Sequence, residues 1–284
     1  MDSFESDGVV IDFLHQGGIS MQAPAENSIQ KILDERKNIE NRLHSSFVLD
    51  EVSIKRLQKS IKNHLLLPSL SLIARAVLHH EMAYLFGLQR NVKEANSHLD
   101  DALSFGIDNL AVSISRGHIM LMSGRLLDAR NFLENLEIDQ ENYQAIDVIL
   151  PQYMECGMFR KASDAAAALN RNANSDLHVH RILDGLGIND LEVTLRLDVA
   201  AEVICKAVSH PLLAYDIFAH DDEGILIQIV ANADIETLAL LNEEIADALT
   251  DRFNAPIDSV LSIMVKPFSS MENNVEGAVY RVGV

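Results

Sequence analysis

The sequence predicts an α+β protein that is mostly α. A stack of α-helical hairpins is followed by a small α/β domain with an antiparallel or mixed sheet. In the middle of the chain a helical pattern recurs at steps of 34 and then 33 residues. After Asn170 the composition shifts to Asn, Ser and Asp, and the apolar period then changes toward that of strands. Apolar residues make up 48% of the 284 residues, enough to bury a core. The expected organisation is a loose arm over residues 1–26, a helical repeat domain over 27–176 and an acidic α/β domain over 185–284.

The arm holds Gly8, Gly17, Gly18 and Pro24, with one short apolar run from Val9 to Leu14. Residues 27–44 follow with Ile29, Ile32, Leu33, Ile39 and Leu43 on one stripe, and residues 49–66 with Val52, Ile54, Leu57, Ile61 and Leu65. Both read as amphipathic helices that cap the repeats. Pro68 and Ser69 break the chain before a long helix over 70–88.

The repeat itself lies in Arg90–Ala95, Gly124–Ala129 and Gly157–Ala162, each ending on Ala five residues after its first position. Four residues past each alanine stand Leu99, Leu133 and Ala166, and seven past stand Ala102, Leu136 and Leu169. Twelve before stand Ala83, Gly117 and Leu150, and nine before stand Phe86, Met120 and Tyr153. A lone hairpin cannot bury its apolar stripe, so it stacks on a copy of itself. The reversal between helices favours glycine, and small residues let the two helix backbones approach.

This pattern, over about residues 76–174, resembles the tetratricopeptide repeat. It departs from that family at the early tryptophan position, which is His79, Ser113 and Ile146, and at the closing proline, which is Ile107, Glu141 and Asn174. Pro151 also falls inside a helix. The resemblance implies a concave peptide-binding face lined by the first helix of each repeat. The positions it selects are His80, Glu81 and Tyr84, then His118 and Met122, then Asp147 and Glu155. None is Lys or Arg, so the carboxylate-clamping mode of the family is not expected, and a basic or amphipathic segment is the expected occupant.

Beyond the expected linker, residues 191–209 read as a helix stopped by Pro211. Residues 212–219 and 225–231 read as a β-hairpin around Asp221-Asp222-Glu223-Gly224. Asp234 caps a helix over 235–252, residues 259–265 form a third strand and 276–282 a fourth. The outer face of helix 235–252 carries Glu236, Glu243, Glu244, Asp247 and Asp251. It reads either as a solvated face or as a docking surface for a basic partner.

Net charge is −19, and the residues from Asp190 to the C-terminus carry 17 acidic against 5 basic side chains. Such a chain is repelled by phosphate backbones and anionic lipid, which disfavours direct nucleic-acid and membrane binding. No segment has about 18 consecutive apolar residues, and the acidic start lacks the basic flank of a leader peptide. Cys156 and Cys205 form no CxxC motif and read as reduced, buried structural thiols of a cytoplasmic protein.

Chemistry-bearing clusters are sparse. His79-His80-Glu81 does not fit H-E-x-x-H, and a packing or groove-lining role is expected. His178 and His180 make H-x-H in the expected linker, two ligands without a third. His220 beside Asp221, Asp222 and Glu223 reads first as a polar turn. No phosphate-binding, dinucleotide or nucleophile-elbow motif occurs, so no catalytic, metal or cofactor residue is assigned. The expected function is a non-enzymatic interaction protein: an adaptor, chaperone-like or regulatory subunit. A metal-dependent enzyme built on Asp221, Asp222 and Glu223, or an acidic nucleic-acid mimic, are the alternatives. Oligomeric state stays open, with a homodimer possible.

Overall fold

The computed structural model describes residues 23–139, 141–169, 176–220, 222, 224–269 and 280–283. Residues 1–22 of the expected arm, 170–175 of the expected linker, and Asp221 and Glu223 lie outside them. The described residues form eleven α-helices and one four-stranded sheet. In chain order these are α1 (Ala23–Ser46), α2 (Glu51–Leu65), α3 (Leu72–Leu88), α4 (Val92–Ser104), α5 (Asn109–Met122) and α6 (Leu126–Glu134). Then come α7 (Tyr143–Glu155), α8 (Phe159–Ala168), α9 (Asp176–Gly185), α10 (Asp190–Ala207), β1 (Tyr215–His220), β2 (Gly224–Ala231), α11 (Ile235–Arg252), β3 (Leu261–Pro267) and β4 (Tyr280–Gly283).

Local chemistry explains most helix starts. Asp50, Ser71, Asn91, Asp108, Asn142, Asn189 and Asp234 each precede a helix and accept from a backbone N–H of its first turn. The helices then pair as α3/α4, α5/α6 and α7/α8. The turns inside the pairs share one form. Arg90, Gly124 and Gly157 all have positive φ, at 57°, 73° and 76°. The following N–H groups of Asn91, Arg125 and Met158 reach back to the carbonyls of Phe86, Met120 and Tyr153 at 2.9, 3.0 and 2.7 Å. That is the six-to-one bond of a Schellman ending, made three times at the 34- and 33-residue spacing. Ala83 and Gly117, the small residues of the first helices, are buried. A Cβ on Gly117 would sit 2.7 Å from Leu133, so the close approach needs its absence.

The stretch read as linker contains α9. Val179 and Leu183 bury one side of it, and Gly187 ends it at positive φ. The first strand begins at Tyr215 rather than at residue 212, because the Leu212 N–H is spent on the Met122 carbonyl at the end of α5, 2.9 Å away. The sheet is mixed, in the order β3-β2-β1-β4. β1 and β2 form the antiparallel hairpin, with Ile217 opposite Ile227. β3 runs parallel to β2, with α11 as the crossover, and β4 runs parallel to β1. Leu238, Leu241 and Ile245 of α11 share a core with the inward residues of β1, β2 and β3.

The core does not divide where the composition shifts. One apolar cluster runs from Ile114 through α6–α10 into the sheet and α11. A second holds α1–α4 and part of α5, together with Leu213 and Val230. Helices and sheet therefore share both cores.

Helix α10 ties the hairpins together by lying across their turns. Arg90 donates to the carbonyls of Cys205 and Val208 at 2.9 and 2.8 Å, closing the C-terminal end of α10. At the second turn, Asp198 accepts from the Leu127 N–H at 2.9 Å. At the third, Asp190 accepts from the Arg160 N–H at 2.9 Å and Thr194 donates to the Cys156 carbonyl at 2.6 Å. Helices α6 and α8 are preceded by Arg125 and Met158, which supply no side-chain cap. The two aspartates of α10 fill that role from outside.

Candidate functional site

Three neighbouring residues on α3 point in three directions, because successive helical positions turn by about 100°. His80 meets Ser115 of α5, Nε2 to Oγ 2.8 Å. Ser115 gives its own hydrogen to the Ala111 carbonyl, so His80 Nε2 is the donor in that pair. Glu81 turns toward α1, where Arg36 Nε donates to it at 3.0 Å. His79 turns the other way, toward α4.

The part of the expected inner face on α3 and α5 is covered by the chain's own α1. Arg36 and Glu40 sit on the same stripe as Ile32, Leu33, Ile39 and Leu43, and all are buried. Arg36 pairs with both Glu40 and Glu81, and its guanidinium lies 5.1 Å from the centroid of the Tyr84 ring. The Tyr84 hydroxyl donates to Glu40, and its ring stacks on His118 at 6.2 Å. Desolvation pushes the His118 imidazole down to about 4 against the opposing pull of Glu40. Met122 is 2% exposed and its carbonyl is taken by Leu212. Asp147 is half-buried and Glu155 buried, each with a partner. The Glu155 carboxylate bears on the buried Tyr215 phenol and adds to burial in raising it far above its ordinary range.

This corrects the groove expectation. Of its seven residues, His80, Glu81, Met122 and Glu155 are buried, and Tyr84 and His118 lie under α1 or against its Glu40. The occupant is an amphipathic helix contributing a basic side chain, the chemistry expected of a partner, but it belongs to this chain.

The acidic face on α11 is where the sequence placed it. Asp234 caps the helix through the Thr237 N–H at 2.7 Å, and Leu238, Leu241 and Ile245 fix which side is buried. Opposite them Glu236, Glu243, Asp247 and Asp251 descend at helical spacing, with Glu244 beside them. All five are exposed, and no ion pair among the described residues reaches them. Leu240, 59% exposed, lies in the middle of this stripe.

The His220 turn offers less. Asp222 is exposed and its N–H approaches His220 Nδ1 at 3.3 Å, while Asp221 and Glu223 lie outside the described residues. His180 is on helix α9, not in a linker, and pairs with Asp184 at 3.1 Å. Cys156 is buried and Cys205 half-buried, both are free thiols, and burial raises both. No described helix is long and apolar enough to cross a membrane. No protein-family model, curated protein or solved structure matches this chain.

Proposed function

We propose that this chain is a non-enzymatic interaction protein, an adaptor or regulatory subunit of the cytoplasm. Its helical hairpins, of tetratricopeptide type, form a self-sealed scaffold, and α11 presents the docking surface. The observation that carries the reading is the α11 face, where five exposed carboxylates have no cation among the described residues and surround the exposed Leu240. Some carboxylates elsewhere are met by cations of the protein itself, as Glu81 is by Arg36 and Asp190 by Arg160. An unspent acidic stripe with one apolar residue suits a basic, amphipathic protein segment. Charge complementarity speeds and selects such encounters, and the central leucine supplies an apolar anchor.

Capture from a host extract tests this. Native chain is compared with E236Q/E243Q/D247N/D251N and with a control neutralised elsewhere, at Glu51, Glu137, Glu141 and Asp164. The reading expects a basic partner retained by the native chain and the control but lost from the α11 variant. Equal retention by all three chains would reject the α11 face.

A further inference from the structure

We propose that His79, His98 and Asp101 form a binding site for a first-row divalent cation of the zinc type, bridging the two helices of the first hairpin. His79 stands on α3, and His98 and Asp101 stand one turn apart on α4. His79 Nδ1 lies 3.0 Å from His98 Nδ1 and 3.2 Å from Asp101 Oδ2. One ligand atom from each of the three lies within 4.8 Å of the others. Around a tetrahedral zinc with bonds of about 2.0–2.1 Å, neighbouring ligand atoms are about 3.3 Å apart, so both separations from His79 are already near the required spacing.

The apo arrangement is poorly satisfied by protons alone. His79 Nδ1 carries at most one hydrogen yet faces both an imidazole nitrogen and a carboxylate oxygen. A cation at the centre of the triangle would satisfy all three donors at once. Two further observations fit this. The rings are held by packing: Phe86 of α3 stacks on His98 at 5.5 Å and 10°, and Phe105, just past α4, lies 5.4 Å from His79. Burial, the largest cause in each case, lowers both imidazoles below their usual range. His79 is 14% exposed and Asp101 50%, so an ion would enter from solvent and keep an open position there.

The triad belongs to the first hairpin only. At the equivalent steps the second has Ser113, Phe132 and Asn135, and the third has Ile146, Ala165 and Ala168. Neither of the other hairpins places a His, Asp or Glu at any of these positions, so the three coordinating side chains are particular to the first. Nitrogen and oxygen ligands in this number suit Zn²⁺ or its neighbours rather than Ca²⁺ or Mg²⁺, which require more oxygen ligands. Glu94 of α4 also bears on His98, while Lys62 of α2 and Arg75 of α3 oppose a cation.

The test uses untagged full-length chain, stripped with chelator and titrated with Zn²⁺ by calorimetry, and with Co²⁺ followed by visible absorption. The expected result is one saturable ion per chain, the ligand-field bands of a low-coordinate Co²⁺ with histidine ligands, and a Tm that rises with Zn²⁺. H98Q and the near-isosteric D101N should each weaken binding at least tenfold, whereas H180A should not change it. Absence of saturable binding, or binding unchanged in both H98Q and D101N, would overturn the site. D101N alters an exposed side chain, so it gives an answer even if H98Q does not fold.

Discussion

Helices α10 and α11 are neighbours in the acidic C-terminal third, and they use their carboxylates in opposite ways. On α10, Asp190 and Asp198 turn inward and accept the free N–H groups at the starts of α8 and α6. On α11, Glu236, Glu243, Asp247 and Asp251 turn outward and meet no cation among the described residues. Both helices are 18 residues long and both bury an apolar side. What differs is what waits opposite the carboxylate. Where a helix start offers orphan donors, an aspartate becomes part of the fold. Where only solvent waits, the same charge contributes little to stability and is available to another molecule.

Ranked by expected loss of stability in urea denaturation, the largest effect comes from the inner face, where two buried carboxylates share one buried guanidinium. Arg36→Met leaves Glu40 and Glu81 buried without their cation and should cost about 3–5 kcal/mol. Next is the α10 seam. Gly124 has φ 73°, and an added Cβ would sit 2.5 Å from the Cys205 sulfur, so Gly124→Val should cost about 2–3 kcal/mol. Cys205→Ala should recover part of that loss, a coupling seen in the double mutant.

The His118 imidazole supplies a pH test of the sealed face. Unfolded, it titrates near 6.5, whereas in the fold it is held at about 4. Between those values the unfolded chain takes up a proton that the folded chain refuses. Stability should therefore fall, by on the order of 1–3 kcal/mol, as pH drops from 7 toward 4. His118→Phe should flatten that slope. Asp198→Ala removes a cap and should cost about 1 kcal/mol, with faster amide exchange at Leu127. Smallest of all, E236Q/E243Q/D247N/D251N should move stability by no more than about 0.5 kcal/mol. A large loss there would mean that α11 resembles α10 after all.

Much of the fold is legible in the sequence. The α11 bounds follow from Asp234 and its apolar stripe, and the three turns follow from a spacing that the positive φ values repeat. Arg90 is instructive because it occupies the place of Gly124 and Gly157. It accepts the strained conformation where its side chain can reach across to α10. Helix α9 follows a polar run that reads as linker, yet Val179, Ile182, Leu183 and Leu186 keep helical spacing and Gly187 marks a stop.

The covering of the inner face by α1 has a trace in the sequence. Arg36 and Glu40 interrupt the apolar stripe of α1, and a charged pair on a buried face announces a polar surface opposite. The caps from Asp190 and Asp198, and the meeting of His79 with His98, join residues whose proximity depends on how helices cross, which no local pattern records.

The most direct measurement of the central claim is the affinity of a defined Lys/Arg-rich amphipathic peptide, titrated at several salt concentrations. Three chains are compared: native, α11-neutralised, and the control neutralised at Glu51, Glu137, Glu141 and Asp164. The two variants carry the same net charge, so net charge and location separate. The account predicts that only the α11 variant loses tenfold or more in affinity, with a shallower salt dependence. Equal losses in both variants, or no loss in either, would contradict a docking surface on α11.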